Sequence, residues 1–262
     1  MIFKFSGFRP DPWGHGGEKR THQIEYALLK NGINANGNVI DVIGRADGLR
    51  KNEKLKCIMI GFNVVRRYFG YRRAREMASD RRYLLEIGQF KTSLKGLSER
   101  ESLIVLWENT ISRFWYVPFI VNEIGGRIVA LPQNLESMVV GQKSRISGAL
   151  SPHWLKEEVK ALQTCDKVFC ISRYDQWLLQ IFGINADYFP YYPDDEIFSF
   201  LAGIRKKRKA NIIPASKLAL IGTVHNRPTL DGMKNMIDIL EQRKYEFVIA
   251  GYGTEKLKDH IS

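Results

Sequence analysis

The chain has 262 residues, 44% of them hydrophobic and 26% charged, a globular composition with room for one large or two medium domains. Its 40 Lys and Arg stand against 28 Asp and Glu, and the resulting net charge of +12 favours anionic partners: nucleic acid, acidic membrane or phosphorylated small molecules. Cys57, Cys165 and Cys170 have no CxxC spacing, which argues against a disulfide framework or a zinc site and suits a reducing, cytoplasmic compartment.

Residues 2–5 read as a strand, 7–17 as a Gly/Pro loop and 18–31 as a helix, in which Ile24, Ala27 and Leu28 recur at helical spacing before Gly32. The alternation then continues with strand 39–43, strand 103–107, helix 114–124, strand 128–131, helix 154–162, strand 168–171 and helix 174–182. Strands alternating with helices predict an α/β fold, a Rossmann-like parallel sheet covered on both faces. Between 45 and 75, ten Lys or Arg face two acids and interleave with Ile58, Phe62, Val65 and Phe69 at helical spacing. Two readings stand for this segment. It is a basic helix resting on anionic lipid, or a helix packing its apolar stripe on the core, with Gly61 and Gly70 weakening its continuity. The densest apolar stretch, 114–121, is far short of the roughly 20 residues a spanning helix needs, and the N-terminus lacks a signal-peptide core.

From 188 to 215 the pattern breaks into a Pro/Tyr/Asp segment, a short apolar run and the basic block 205–209, read as a solvated linker. A fresh unit follows: strand 218–221, loop 222–227, helix 228–240, strand 247–250 and a glycine turn at 251–253. The expected organisation is a Rossmann-like domain over 1–193, a linker over 194–215 and, over 216–262, the start of a second Rossmann-like domain that is cut short.

Two loops carry the candidate chemistry. Gly14-His15-Gly16-Gly17-Glu18-Lys19-Arg20 lies between the first strand and the first helix, where backbone N–H groups and the helix dipole can meet a phosphate. It is not the dinucleotide fingerprint, because no GxGxxG is present. Gly222-Thr223-Val224-His225-Asn226-Arg227-Pro228 repeats the arrangement in the second unit, and Gly251 and Gly253 follow its next strand. The histidines show no metal-ligand spacing, and no DxD triplet occurs.

Read together, these segments resemble the retaining group 1 (family 4) glycosyltransferases. Four patches carry the resemblance: Gly16-Gly17-Glu18-Lys19; Leu131-Pro132-Gln133-Asn134-Leu135-Glu136-Ser137; Asp166 through Ser172 with Gly183 and Tyr188-Phe189-Pro190; and Leu220-Ile221-Gly222 through Met233, ending in Phe247 to Gly253. The resemblance implies two facing Rossmann-like domains, the GT-B fold, with the first holding the acceptor and the second the nucleotide sugar. It implies a metal-independent reaction in which the nucleotide-diphosphate sugar is a co-substrate and no cofactor takes part. By the same resemblance the donor- and acceptor-binding residues are Gly16, Gly17, Gln133, Asn134, Asn226, Arg227, Gly251 and Gly253. Gly16 and Gly17 would lie beside phosphates or acceptor, and Asn226 and Arg227 would face the diphosphate. The paired glutamates of that family's second domain have no counterpart here, so this chain alone is expected to be inactive.

The implied partners are a nucleotide sugar, a glycan or lipid-linked acceptor and an anionic membrane surface, at the inner face of which the protein would sit. A nucleic-acid-binding protein is the competing class. Against it, the basic residues form no helix-turn-helix, RNA-recognition or zinc-finger signature, and no nucleic-acid partner is expected. A non-catalytic glycosyltransferase-like fragment is the third reading.

Overall fold

The computed structural model describes residues 1–14, 16–35, 48–98, 102–108, 110–139, 143, 154–210, 217–225 and 227–261. They divide into two compact units, Met1–Phe198 and Ser199–Ser262.

The first unit is built on a parallel sheet of five strands: β1 (Ile2–Phe5), β2 (Ile104–Trp107), β3 (Arg127–Ala130), β4 (Lys167–Cys170) and β5 (Ala186–Tyr188), hydrogen-bonded in that order among the described residues. The α/β parallel-sheet expectation is therefore met. The expected strand at 39–43 lies outside the described residues, and β5 has no counterpart in the sequence reading.

Side chains alternate across this sheet. Phe3, Phe5, Val105, Trp107, Ile128, Ala130, Val168 and Cys170 point into the larger core, and Leu106 into a smaller one completed by Ile24 and Leu131. Both faces are covered, which is why these strands read as nearly continuous apolar runs. Helix α1 (Gly16–Lys30) lies on the smaller core through Ile24 and Leu28.

The larger core is covered by α2 (Lys51–Phe69), α3 (Tyr71–Met77), α4 (Arg81–Ser98), α5 (Val117–Glu123), α6 (Leu155–Gln163) and α7 (Arg173–Ile181). Helices α2 and α4 touch backbone to backbone. A Cβ on Gly61 would overlap the Leu84 carbonyl, and one on Gly88 the Cys57 carbonyl. Gly61 therefore serves helix packing without breaking α2, which ends at Gly70 with φ 93°. Of the apolar stripe read as either lipid-facing or core-packing, Val65 is fully buried and Ile58, Phe62 and Phe69 pack against the core, which is the second of those readings. That apolar face belongs to the protein interior.

The stretch 194–215 contains a helix, α8 (Asp195–Ala210). Its start is fixed by the Asp194 carboxylate, which accepts from the Ile197 N–H at 2.8 Å, and Asp195 and Glu196 occupy the positive end of the helix while Lys207, Arg208 and Lys209 occupy the negative end. The sequence reading took the basic block as linker because it weighed charge and not its placement at a helix C-terminus.

The second unit holds β6 (Leu218–Ile221) and β7 (Phe247–Ala250), paired in parallel, with α9 (Arg227–Gln242) between them. Val224, Met233, Ile237 and Leu257 form its small core.

Candidate functional site

Because every strand of the first sheet runs the same way, the loops after their C-terminal ends gather along one edge, where ligands bind in open α/β sheets. Four of those loops meet in a cleft of about 350 Å³. Gly16, Gly17, Lys19 and Arg20 come from the start of α1, after β1. Gln133 and Asn134 follow β3, Ile171 follows β4 and Tyr191 follows β5. Four of the residues singled out in the sequence, Gly16, Gly17, Gln133 and Asn134, thus share one site.

The two glycines have different parts. A Cβ on Gly16 would meet nothing within 4 Å, so its backbone faces open space at the first turn of α1. A Cβ on Gly17 would stand 2.7 Å from the Phe8 ring, so this glycine exists to let the loop pack on the helix. Bulk at Gly17 would push against Phe8 before it reached a ligand.

Arg20 dominates the electrostatics. It is 1% exposed, with its guanidinium carbon 4.4 Å from the centre of the Phe189 ring. Nη1 donates to Gln23 Oε1 at 2.8 Å and to the Pro190 carbonyl at 3.3 Å, while Nε and Nη2 have no partner among the described residues. Burial pulls its pKa from the ordinary arginine range down to about 10, with Glu108 and Cys170 opposing that shift. Gln133 likewise has a buried amide nitrogen without a partner among the described residues. Arg20 and Gln133, each with a buried donor that has no partner among the described residues, line the cleft together with Lys19 and the N-terminal end of a helix of 15 residues. Such a lining suits an anion rich in oxygen acceptors.

Two buried carboxylates support the frame. Glu108, directly after β2, accepts from Thr21 Oγ1 at 2.7 Å, and burial raises its pKa while Thr21, Ser6, Lys4 and Arg20 hold it down. Glu158 on α6 accepts from the Glu136 and Ser137 N–H groups at 2.8 and 2.9 Å, which ties the 133–138 loop to the helix layer. Burial and the neighbouring Glu158 raise the Glu136 carboxyl to about 7. After β4, Ser172 caps α7 by accepting from the Tyr174 and Asp175 N–H groups.

In the second unit, Gly251 and Gly253 lie against the 222–225 loop. A Cβ on Gly251, at φ 140°, would overlap the Gly222 carbonyl, and Gly253 adopts φ 78° with a Cβ position 2.9 Å from the His225 ring. The Gly222 N–H donates to the Ala250 carbonyl and the Val224 N–H to the Tyr252 carbonyl, so the two loops are stitched together. Arg227 begins α9 with an 89% exposed side chain and an i,i+4 pair to Asp231 at 3.6 Å. Asn226 lies outside the described residues.

In the sequence Arg20 stands only as the end of the candidate loop, with no role of its own, and Glu108 does not stand out. The signals were there: Arg20 shares the inward stripe of α1 with Ile24, and Glu108 closes a run of buried strand residues. A charged residue at an inward position is the pattern to look for.

Among the described residues no group of three or more His, Cys, Asp and Glu is arranged to hold a metal ion, and no helix is long and apolar enough to cross a membrane. No protein-family model matches the chain, and no curated protein matches its sequence.

Proposed function

We propose that this chain is a glycosyltransferase that moves a sugar from a nucleotide-diphosphate donor to a glycan or lipid-linked acceptor, in the cytoplasm and for cell-surface polysaccharide. The observation that carries the reading is the cleft at the C-terminal edge of the first sheet, where the buried Arg20 charge, Lys19 and the start of α1 meet the Gln133–Asn134 loop.

In this reading the cleft of the first unit receives the phosphate-bearing or hydroxyl-rich part of a substrate. Fixed positive charge stabilises phosphate oxygens as negative charge builds on the departing diphosphate, and the open first turn of α1 at Gly16 completes the cradle. The open space over Gly16 permits close approach of the ligand to backbone. Arg227 and the Gly251–Gly253 turn would serve the donor in the second unit, with retention of configuration and no metal.

Saturation-transfer NMR of the full chain against UDP-, GDP- and ADP-sugars tests the proposal. Transfer to both nucleotide and sugar protons is expected for at least one of them. Transfer that is absent for all of them, or equally strong for phosphate-free nucleosides, would overturn it.

A further inference from the structure

Helix α8 has an unusual surface. Every residue from 198 to 210 is exposed, although Phe198, Leu201 and Ile204 are large and apolar, at 62%, 48% and 40% exposure. The next five residues, Arg205, Lys206, Lys207, Arg208 and Lys209, are all cationic, and no acid occurs between Ile197 and Leu230.

At 3.6 residues per turn, Phe198, Leu201, Arg205 and Arg208 fall on one stripe. Leu201, Ile204, Arg205, Arg208 and Lys209 together line a shallow groove of about 490 Å³. The apolar side chains thus fill the first half of a face whose second half is basic.

We propose that α8 is a membrane-docking helix that lies on an anionic lipid bilayer, a property independent of the transferase reading. A bilayer interface satisfies both halves of the face. Acyl chains take Phe198, Leu201 and Ile204, and headgroup phosphates take Arg205, Arg208 and Lys209.

The charge pattern removes the other occupants. A second copy of the same face would bring Arg205, Arg208 and Lys209 of both copies together, and like charge at an interface opposes pairing. Nucleic acid would use the cations but leave the three apolar side chains without a role, because phosphate contacts are electrostatic. Helix α2, for which contact with lipid was one of two readings, has its apolar stripe buried in the core, whereas α8 offers both chemistries.

Flotation of the full chain with phosphatidylcholine vesicles, with and without phosphatidylglycerol, tests the assignment. Binding is expected only with phosphatidylglycerol and is lost at high salt. Each cation removed should weaken partitioning about fivefold, so Arg205→Gln/Arg208→Gln should weaken it about 25-fold. Phe198→Ser/Leu201→Ser should also weaken it about tenfold or more through loss of apolar contact. Lys54→Gln/Lys56→Gln on α2 should leave it unchanged. All these positions lie on the protein surface or partly exposed, and circular dichroism checks that each variant keeps its helices.

Equal partitioning to neutral and anionic vesicles, no partitioning at all, or sensitivity to the α2 variant alone would overturn the proposal. So would a helix whose Arg205→Gln/Arg208→Gln variant loses polyribonucleotide binding while Phe198→Ser/Leu201→Ser changes neither binding, since that result describes a polyanion site.

Discussion

Replacing Arg20 with methionine separates a residue kept for ligand binding from one kept for stability. The substitution keeps an unbranched side chain of similar length and removes the charge. Losing Nη1 leaves Gln23 Oε1 unmatched, which costs about 1–3 kcal/mol, while the Pro190 carbonyl retains its bond from Gln23 Nε2 at 2.9 Å. In the opposite direction, the fall of the Arg20 pKa from its ordinary value to about 10 means that folding disfavours the charged form by about 3 kcal/mol. Because the folded pKa lies below the unfolded one, that penalty is fully present at neutral pH and is relieved only as pH rises above about 10. Arg20→Met should therefore change unfolding stability at pH 7 by less than about 2 kcal/mol, with the sign towards gain. Affinity for a nucleoside diphosphate should fall by roughly 10- to 100-fold, the contribution of one charge-assisted interaction. Urea unfolding and calorimetric titration of the same preparations measure both quantities. A stability loss above about 3 kcal/mol with unchanged affinity would assign Arg20 to the scaffold and refute the argument.

The glycines of the α1 loop should divide in the same way. Gly17→Val should lower stability by about 1–3 kcal/mol through the Phe8 ring, whereas Gly16→Val should leave the melting temperature nearly unchanged and reduce ligand affinity by calorimetry. Glu136 has a folded pKa of about 7, above its ordinary 4.5, so stability should fall as pH rises from about 4.5 to 7. Glu136→Gln should flatten that dependence and raise stability at pH 8 by about 1–3 kcal/mol in urea titrations. Arg227→Ala should change stability by less than about 0.5 kcal/mol, since its pair with Asp231 is exposed, while affinity for a nucleotide sugar, measured by calorimetry, should fall.

Much of the fold was legible because period and punctuation agreed. Strands β1, β3, β4, β6 and β7 lie within one residue of the runs read from apolar clustering, and Ser172 and Gly183 bracket α7 with a cap and a positive-φ stop. Strand β5 was missed because three residues after a glycine turn, with Asp187 pointing to solvent, carry no period. The packing of α2 on α4 was hidden by its use of glycine: in a sequence Gly61 reads as a helix weakness, and only the neighbouring Leu84 backbone shows why it stands there. Gly16, Gly17, Gln133 and Asn134 are brought together by parallel strands that place separate loops on one edge. What makes the cleft basic, the buried Arg20, escaped because residue type alone does not reveal which donors remain unmatched after folding.

The central claim, use of a nucleotide-diphosphate sugar, is tested most directly by photolabelling the full chain with an azido-nucleotide sugar and mapping the labelled peptides. The account predicts label in peptides containing residues 16–20, 131–138 or 222–253, suppressed by excess unlabelled nucleotide sugar and reduced by Arg20→Met where it falls in the first unit. Label that unlabelled nucleotide sugar does not suppress, or that maps outside those three segments, would contradict it.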